Sequence, residues 1–208
     1  YRLDEYLSGF NLLLYDRVQR YGLIFESFFF PPDNPANPNF FPNSESKWAS
    51  VSVYLPLISM AGVITYFRSK KAKWLKVLIS ICVFMAFVPV LNSSFQLFKS
   101  MYYARWFYML TLIMILATVQ VLEDQKENLI FGVKVTGAVM LGLSLIGILP
   151  SKNEEGTLEF FSMPAYPARF WIYVIIGLGG LVVVYLLYRL YRKDERYPKY
   201  LITSICVV

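Results

Sequence analysis

The sequence predicts an all-α fold. We read a polytopic membrane protein with about five to six transmembrane helices, preceded by an extracytoplasmic amphipathic helix and a proline-rich loop. Three observations carry this. The 208 residues are 57% hydrophobic and 16% charged, against about 25% charged in an ordinary soluble domain. No Asp or Glu occurs from Ser46 to Leu122 or from Phe160 to Lys193. Uncharged apolar runs near ~20 residues are the mark of membrane-crossing helices.

Two regions follow, 1–50 and 51–208. In the first, Leu3, Leu7, Phe10, Leu14, Val18, Tyr21, Phe25 and Phe28 recur every three or four residues. Asp4, Glu5, Ser8, Asp16, Arg17, Gln19 and Arg20 fall mostly off that stripe. Such a helix suits the membrane interface or packing on a soluble core, and Gly9 and Gly22 are its candidate break points. Five of the eleven prolines then lie between Pro31 and Pro42, in "FFFPPDNPANPNFFPNSESKWAS". Missing N–H groups at that density exclude helix and central strand. The flanking Phe28–Phe30, Phe40, Phe41 and Trp48 predict a loop held against the interface.

Beyond residue 50 the predicted spans are Val51–Phe67, Trp74–Leu91, Trp106–Leu122, Leu129–Leu149 and Phe170–Leu190, with a sixth starting at Tyr200. Ala138 and Gly142, four apart, fit a close helix contact. The chain opens without Met and stops at Val208 inside an apolar run, so the expectation is a bundle truncated at both ends.

The loops set orientation. "RSKKAK" (68–73) and "YRKDERYPK" (191–199) are basic and predict the cytoplasmic side. Alternation then places 1–50, 92–105 and 150–169 outside. The net charge of +6 reads as this topology signal, and no nucleic-acid-binding motif accompanies it. Histidine is absent, which removes His metal sites and Ser-His-Asp triads from this chain. No acidic pair stands at ligand spacing, so no metal is expected, and no cofactor. The lack of carboxylates within the predicted spans disfavours a proton-coupled transporter.

The stretch "VLNSSFQLFKSMYYARWFYM" (90–109) joins two apolar runs with polar and cationic side chains. Arg105 and Lys99 suit a phosphate. Tyr102, Tyr103 and Trp48 suit stacking on a sugar, and Asn92 and Ser93 suit hydrogen bonds to its hydroxyls. An ordinary aromatic belt with an anchoring Arg fits the same residues. Outward acids are few: Asp33, Glu45, Glu26, Asp16, Glu154, Glu155 and Glu159. Asp33, in "PPDNP", fits a positioned base or a turn residue.

The wording "FFPNS", "YLPL", "LNSSF" and "YYARW" resembles the YfhO family of bacterial membrane proteins over about Tyr15 to Leu122. Residues 123–208 are similar only in hydropathy. The resemblance implies a GT-C-type architecture in the bacterial cytoplasmic membrane. It implies a transferase that takes sugar from a polyprenyl-phosphate-linked donor to a cell-envelope polymer such as lipoteichoic acid, on the outer face. Membrane lipid is the further partner it implies. GT-C enzymes place their catalytic carboxylate early in the chain, so the base is expected outside this sequence. A transporter or flippase of lipid-linked sugars, and a non-catalytic scaffold, stay open beside the enzyme.

Overall fold

The computed structural model describes residues 9–34, 52–99, 102–124, 128–152, 158–161, 164, 166–191 and 197–207. These are mostly helical, with a two-residue antiparallel ladder in which Ser151 pairs with Glu159 and Lys152 with Leu158. The helices are α1 (Val18–Glu26), α2 (Ala61–Arg68), α3 (Lys73–Phe87), α4 (Pro89–Ser93), α5 (Phe107–Leu122), α6 (Leu129–Ile146), α7 (Pro167–Tyr191) and α8 (Tyr197–Val207).

Two of them, α6 and α7, are long and apolar enough to cross a membrane. The pair α3 and Pro89–Gln96, bent by 100°, adds a third if it is counted as one span. Membrane association follows from these lengths. Asn128 caps α6 by accepting the Ile130 N–H at 3.2 Å, and Pro167 opens α7, where its missing N–H costs nothing. Thr65, Thr111 and Ser144 donate their hydroxyls to carbonyls four residues back in their own helices.

The helices α5, α6 and α7 coincide with the runs predicted as third, fourth and fifth spans, but α5, at 16 residues, is shorter than a membrane-crossing helix. The first predicted span does not form one helix: only Ala61–Arg68 is helical, and 52–60 is irregular yet largely buried. Pro56 removes an N–H, and Leu57 (φ 63°) and Ser59 (φ 48°) stand in the left-handed region, which no α-helix tolerates. The buried backbone finds partners elsewhere. Val53 N–H donates to the Ser27 carbonyl at 3.3 Å, Ser59 N–H to that of Leu55 at 2.7 Å, and the Ser59 hydroxyl reaches the Phe29 carbonyl at 3.1 Å. The second predicted span is broken as well, at Pro89, the first residue of α4.

The segments 28–30 and 52–60 enter the bundle as one arm. A side chain at Gly180 of α7 would come within 2.9 Å of Leu57 Cα. One at Gly177 would meet Phe30 Cδ1 at 3.3 Å. These glycines straddle the middle of the 25-residue α7, so the arm reaches the level of that helix's centre. Phe28, Phe29 and Phe30 are thus buried in the core, not laid along an interface. Phe40, Phe41 and Trp48 lie outside the described residues.

The predicted stripe of the N-terminal region is also reassigned. Val18 is 79% exposed and Phe10 84%, with Leu14 and Phe25 exposed too. The inward face of α1 carries Leu23 and Ile24 together with Arg20 and Glu26. The described part of the region is not one helix. A 3-10 turn at Gly9–Leu12 (Gly9 φ 56°) precedes a change of direction, so residues four apart across it share no face. Gly22 sits inside α1 without breaking it. Ala138 and Gly142 face outward, and a Cβ on Gly142 would meet nothing within 4 Å. The close contact in α6 is at Gly132, where a Cβ would strike the Ala61 carbonyl and Thr65 Oγ1 of α2.

Candidate functional site

One end of the bundle gathers charge and tyrosine. The last turn of α3 leaves carbonyls without helical partners because the helix stops before Pro89. The Ala86 carbonyl accepts the Tyr15 hydroxyl at 2.9 Å and Asn92 Nδ2 at 3.3 Å. Asn92 Oδ1 accepts the Tyr103 N–H at 2.8 Å. Asn92 and Ser93 are fully buried, and both polar ends of Asn92 hold the chain to itself. The structure makes Asn92 the support beneath residues 102–105.

On that support Tyr102 meets Tyr15 edge-on, with ring centroids 5.7 Å apart. Tyr21 meets Tyr15 from another side at 5.2 Å. The Arg20 guanidinium lies 5.9 Å from the Tyr15 ring centre and 5.8 Å from that of Tyr102. Asp16, one turn earlier, holds it at 2.8 Å. The Tyr102 hydroxyl is buried. Burial first, then Tyr15 and Glu26, push it well above the ordinary tyrosine range, against the pull of Arg20.

Two carboxyls complete the cluster. Glu26 is the last residue of α1, 1% exposed. Its Oε1 has no hydrogen-bond partner among the described residues. Burial pushes its carboxyl well above the usual 4.5, and Asp33 pushes in the same direction. The negative end of the α1 dipole also opposes a carboxylate there. Burial and Asp33 therefore both favour the neutral form of Glu26. Asp33 lies beyond the Phe28–Phe30 turn with its side chain 4% exposed. Arg169 Nη2 stands 3.8 Å from its Oδ1, and the same oxygen accepts the Asn34 N–H at 2.8 Å. Arg169 in turn lies over the Tyr166 ring at 4.4 Å. Asp33 is thus a partner of Arg169 and of the next amide, in irregular chain rather than a turn. A neutral acid beside a carboxylate that faces arginine is an arrangement able to give and take one proton.

Arg105 and Lys99 stand apart from this cluster, exposed to the surroundings. Trp106, next to Arg105, is buried and stacks on Phe95 at 4.5 Å. Of the other predicted site residues, Tyr102 belongs to the buried cluster and Tyr103 lies half-buried beside it. Trp48 lies outside the described residues. The roles of Arg20 and Arg169 were not evident from spacing, except that Asp16 and Arg20 stand four apart. Glu26 carried a stronger signal: it is the one charged residue from Tyr21 to Pro32.

No family model, curated protein or solved structure matches the chain.

Proposed function

We propose that this chain belongs to a membrane glycosyltransferase of five to six spans in the bacterial cytoplasmic membrane. It would move a sugar from a polyprenyl-phosphate-linked donor to a cell-envelope polymer, such as lipoteichoic acid, at the outer face. The observation that carries the reading is the buried pair Glu26 and Asp33, next to Arg20 and Arg169, at the end of the bundle that also holds 92–105. The wording of 28–57 and 91–106, similar to the YfhO family, supports it. In such a transfer a carboxylate takes the acceptor hydroxyl's proton, the acceptor oxygen bonds to the sugar carbon, and the lipid phosphate leaves with the electron pair. Asp33 is the carboxylate we assign to take that proton. Arg105, with Lys99 second, meets the charge growing on the phosphate.

The test uses purified protein in liposomes with labelled polyprenyl-phosphate sugar and acceptor, without any ion gradient. Labelled polymer is expected. Arg105→Ala should lower transfer by about 10²-fold or more while membrane insertion persists. Full activity in that variant removes Arg105 from the site.

A transporter of lipid-linked sugars is the second reading, favoured by the 100° break at Pro89 and the irregular buried arm. Discontinuous helices line substrate paths in such proteins. Movement of labelled lipid across the bilayer with no polymer formed would select it.

A further inference from the structure

The arginines of the buried cluster already face acids: Asp16 lies 2.8 Å from Arg20, and Asp33 lies 3.8 Å from Arg169. The two pairs cancel, and Glu26 adds no positive charge in either form. A phosphate brought here would find no excess positive charge. An uncharged group rich in hydroxyls would find one buried carboxyl oxygen, Glu26 Oε1, with no hydrogen-bond partner among the described residues, beside Tyr102. A buried polar atom left without a partner costs about 1–3 kcal/mol, a cost consistent with an atom kept for a ligand.

We infer that Glu26, Asp33 and Tyr102 form a subsite for the uncharged, hydroxyl-bearing part of the ligand, a sugar ring, while the lipid phosphate stays with the exposed Arg105 and Lys99. This rests on the glycolipid reading above. It divides one ligand between two places that differ in burial and charge. Glu26 gives or accepts a hydrogen bond with a ring hydroxyl, and the tyrosine face covers the ring.

Two probes separate the places: polyprenyl phosphate and polyprenyl-phosphate glucose, each titrated against the full chain in nanodiscs. Glu26→Leu should weaken the sugar-bearing lipid by about tenfold, the loss of one or two good hydrogen bonds, and leave the bare lipid unchanged. Glu26→Gln keeps a donor and an acceptor and should stay within about threefold for both. Arg105→Ala should weaken both lipids alike. Glu26→Leu also removes an unpartnered buried polar atom, so its thermal midpoint should hold or rise. A purely structural Glu26 would lower that midpoint on conversion to Leu. Equal loss for the two lipids, or no loss for either, overturns the subsite while leaving the glycolipid reading intact. Wild-type protein that binds neither lipid overturns that reading and the subsite with it.

Discussion

At the scale of single residues, Glu26 has the clearest consequence for pH. Its folded carboxyl titrates well above the ordinary 4.5 because it is buried and faces Asp33. In the unfolded chain it ionises near its ordinary value. As pH rises past that value the unfolded state sheds the proton first, and stability falls until the folded carboxyl also ionises. From its ordinary 4.5 upward, until the folded carboxyl ionises, the wild type should therefore lose stability as pH rises, at up to about 1.4 kcal/mol per pH unit from this group. Thermal midpoints in nanodiscs across that range check it. Glu26→Gln should flatten the slope, and an unchanged slope would mean that Glu26 is ionised in the folded protein. The residue was visible in the sequence as a lone acid in an apolar run. Its neighbours were not. Asp33 and Arg169 meet only because the chain returns after 136 residues, and no local pattern reports such a meeting.

At the scale of elements, hydropathy identified α5, α6 and α7 because each is one apolar run ended by polar residues. It failed at 51–60 because an apolar composition is the same for a helix and for a buried turn. The informative signs were Pro56 and the backbone signs of Leu57 and Ser59, and only Pro56 can be read in a sequence. The small-residue rule failed in a related way. Spacing alone does not say which small residue faces a neighbour, and α6 uses Gly132 rather than Ala138 and Gly142. The contrast is measurable. Gly132→Ala should destabilise the bundle by about 1–3 kcal/mol, since α2 has to withdraw from its contact with α6. Gly142→Ala should be neutral or stabilising by about 0.5–1 kcal/mol, from helix propensity alone. Chemical denaturation of the two variants in detergent decides it, and a reversal of the order would move the close contact elsewhere.

At the scale of the whole molecule, the described segments that precede α2 are built inward. The arm of residues 28–30 and 52–60 lies against the middle of α7, and its carbonyls and N–H groups are met by one another. The amides of Phe30, Val53 and Ser59 should then exchange with deuterium as slowly as those in the centres of α6 and α7. Fast exchange there would mean that the arm leaves the bundle in solution. Two ion pairs report on the opposite ends. Lys71 meets Asp124 at 3.1 Å, joining the basic loop after α2 to the end of α5, while Asp33 and Arg169 stand at the beginning of α7. The loop after α2 and the end of α5 thus share one end of the bundle.

The Ala86 carbonyl gives the bend at Pro89 a wider meaning. A carbonyl oxygen has two lone pairs, and here one takes the Tyr15 hydroxyl and the other the Asn92 amide. Three stretches far apart in sequence are therefore indexed to one backbone atom: the lead-in to α1, the α3–α4 corner and, through Asn92, residues 102–105. An unbroken helix would return that oxygen to its own i+4 amide and release both. The proline thus acts as a registration mark. It fixes where α3 ends, and the tyrosines and Arg20 inherit their spacing from that point.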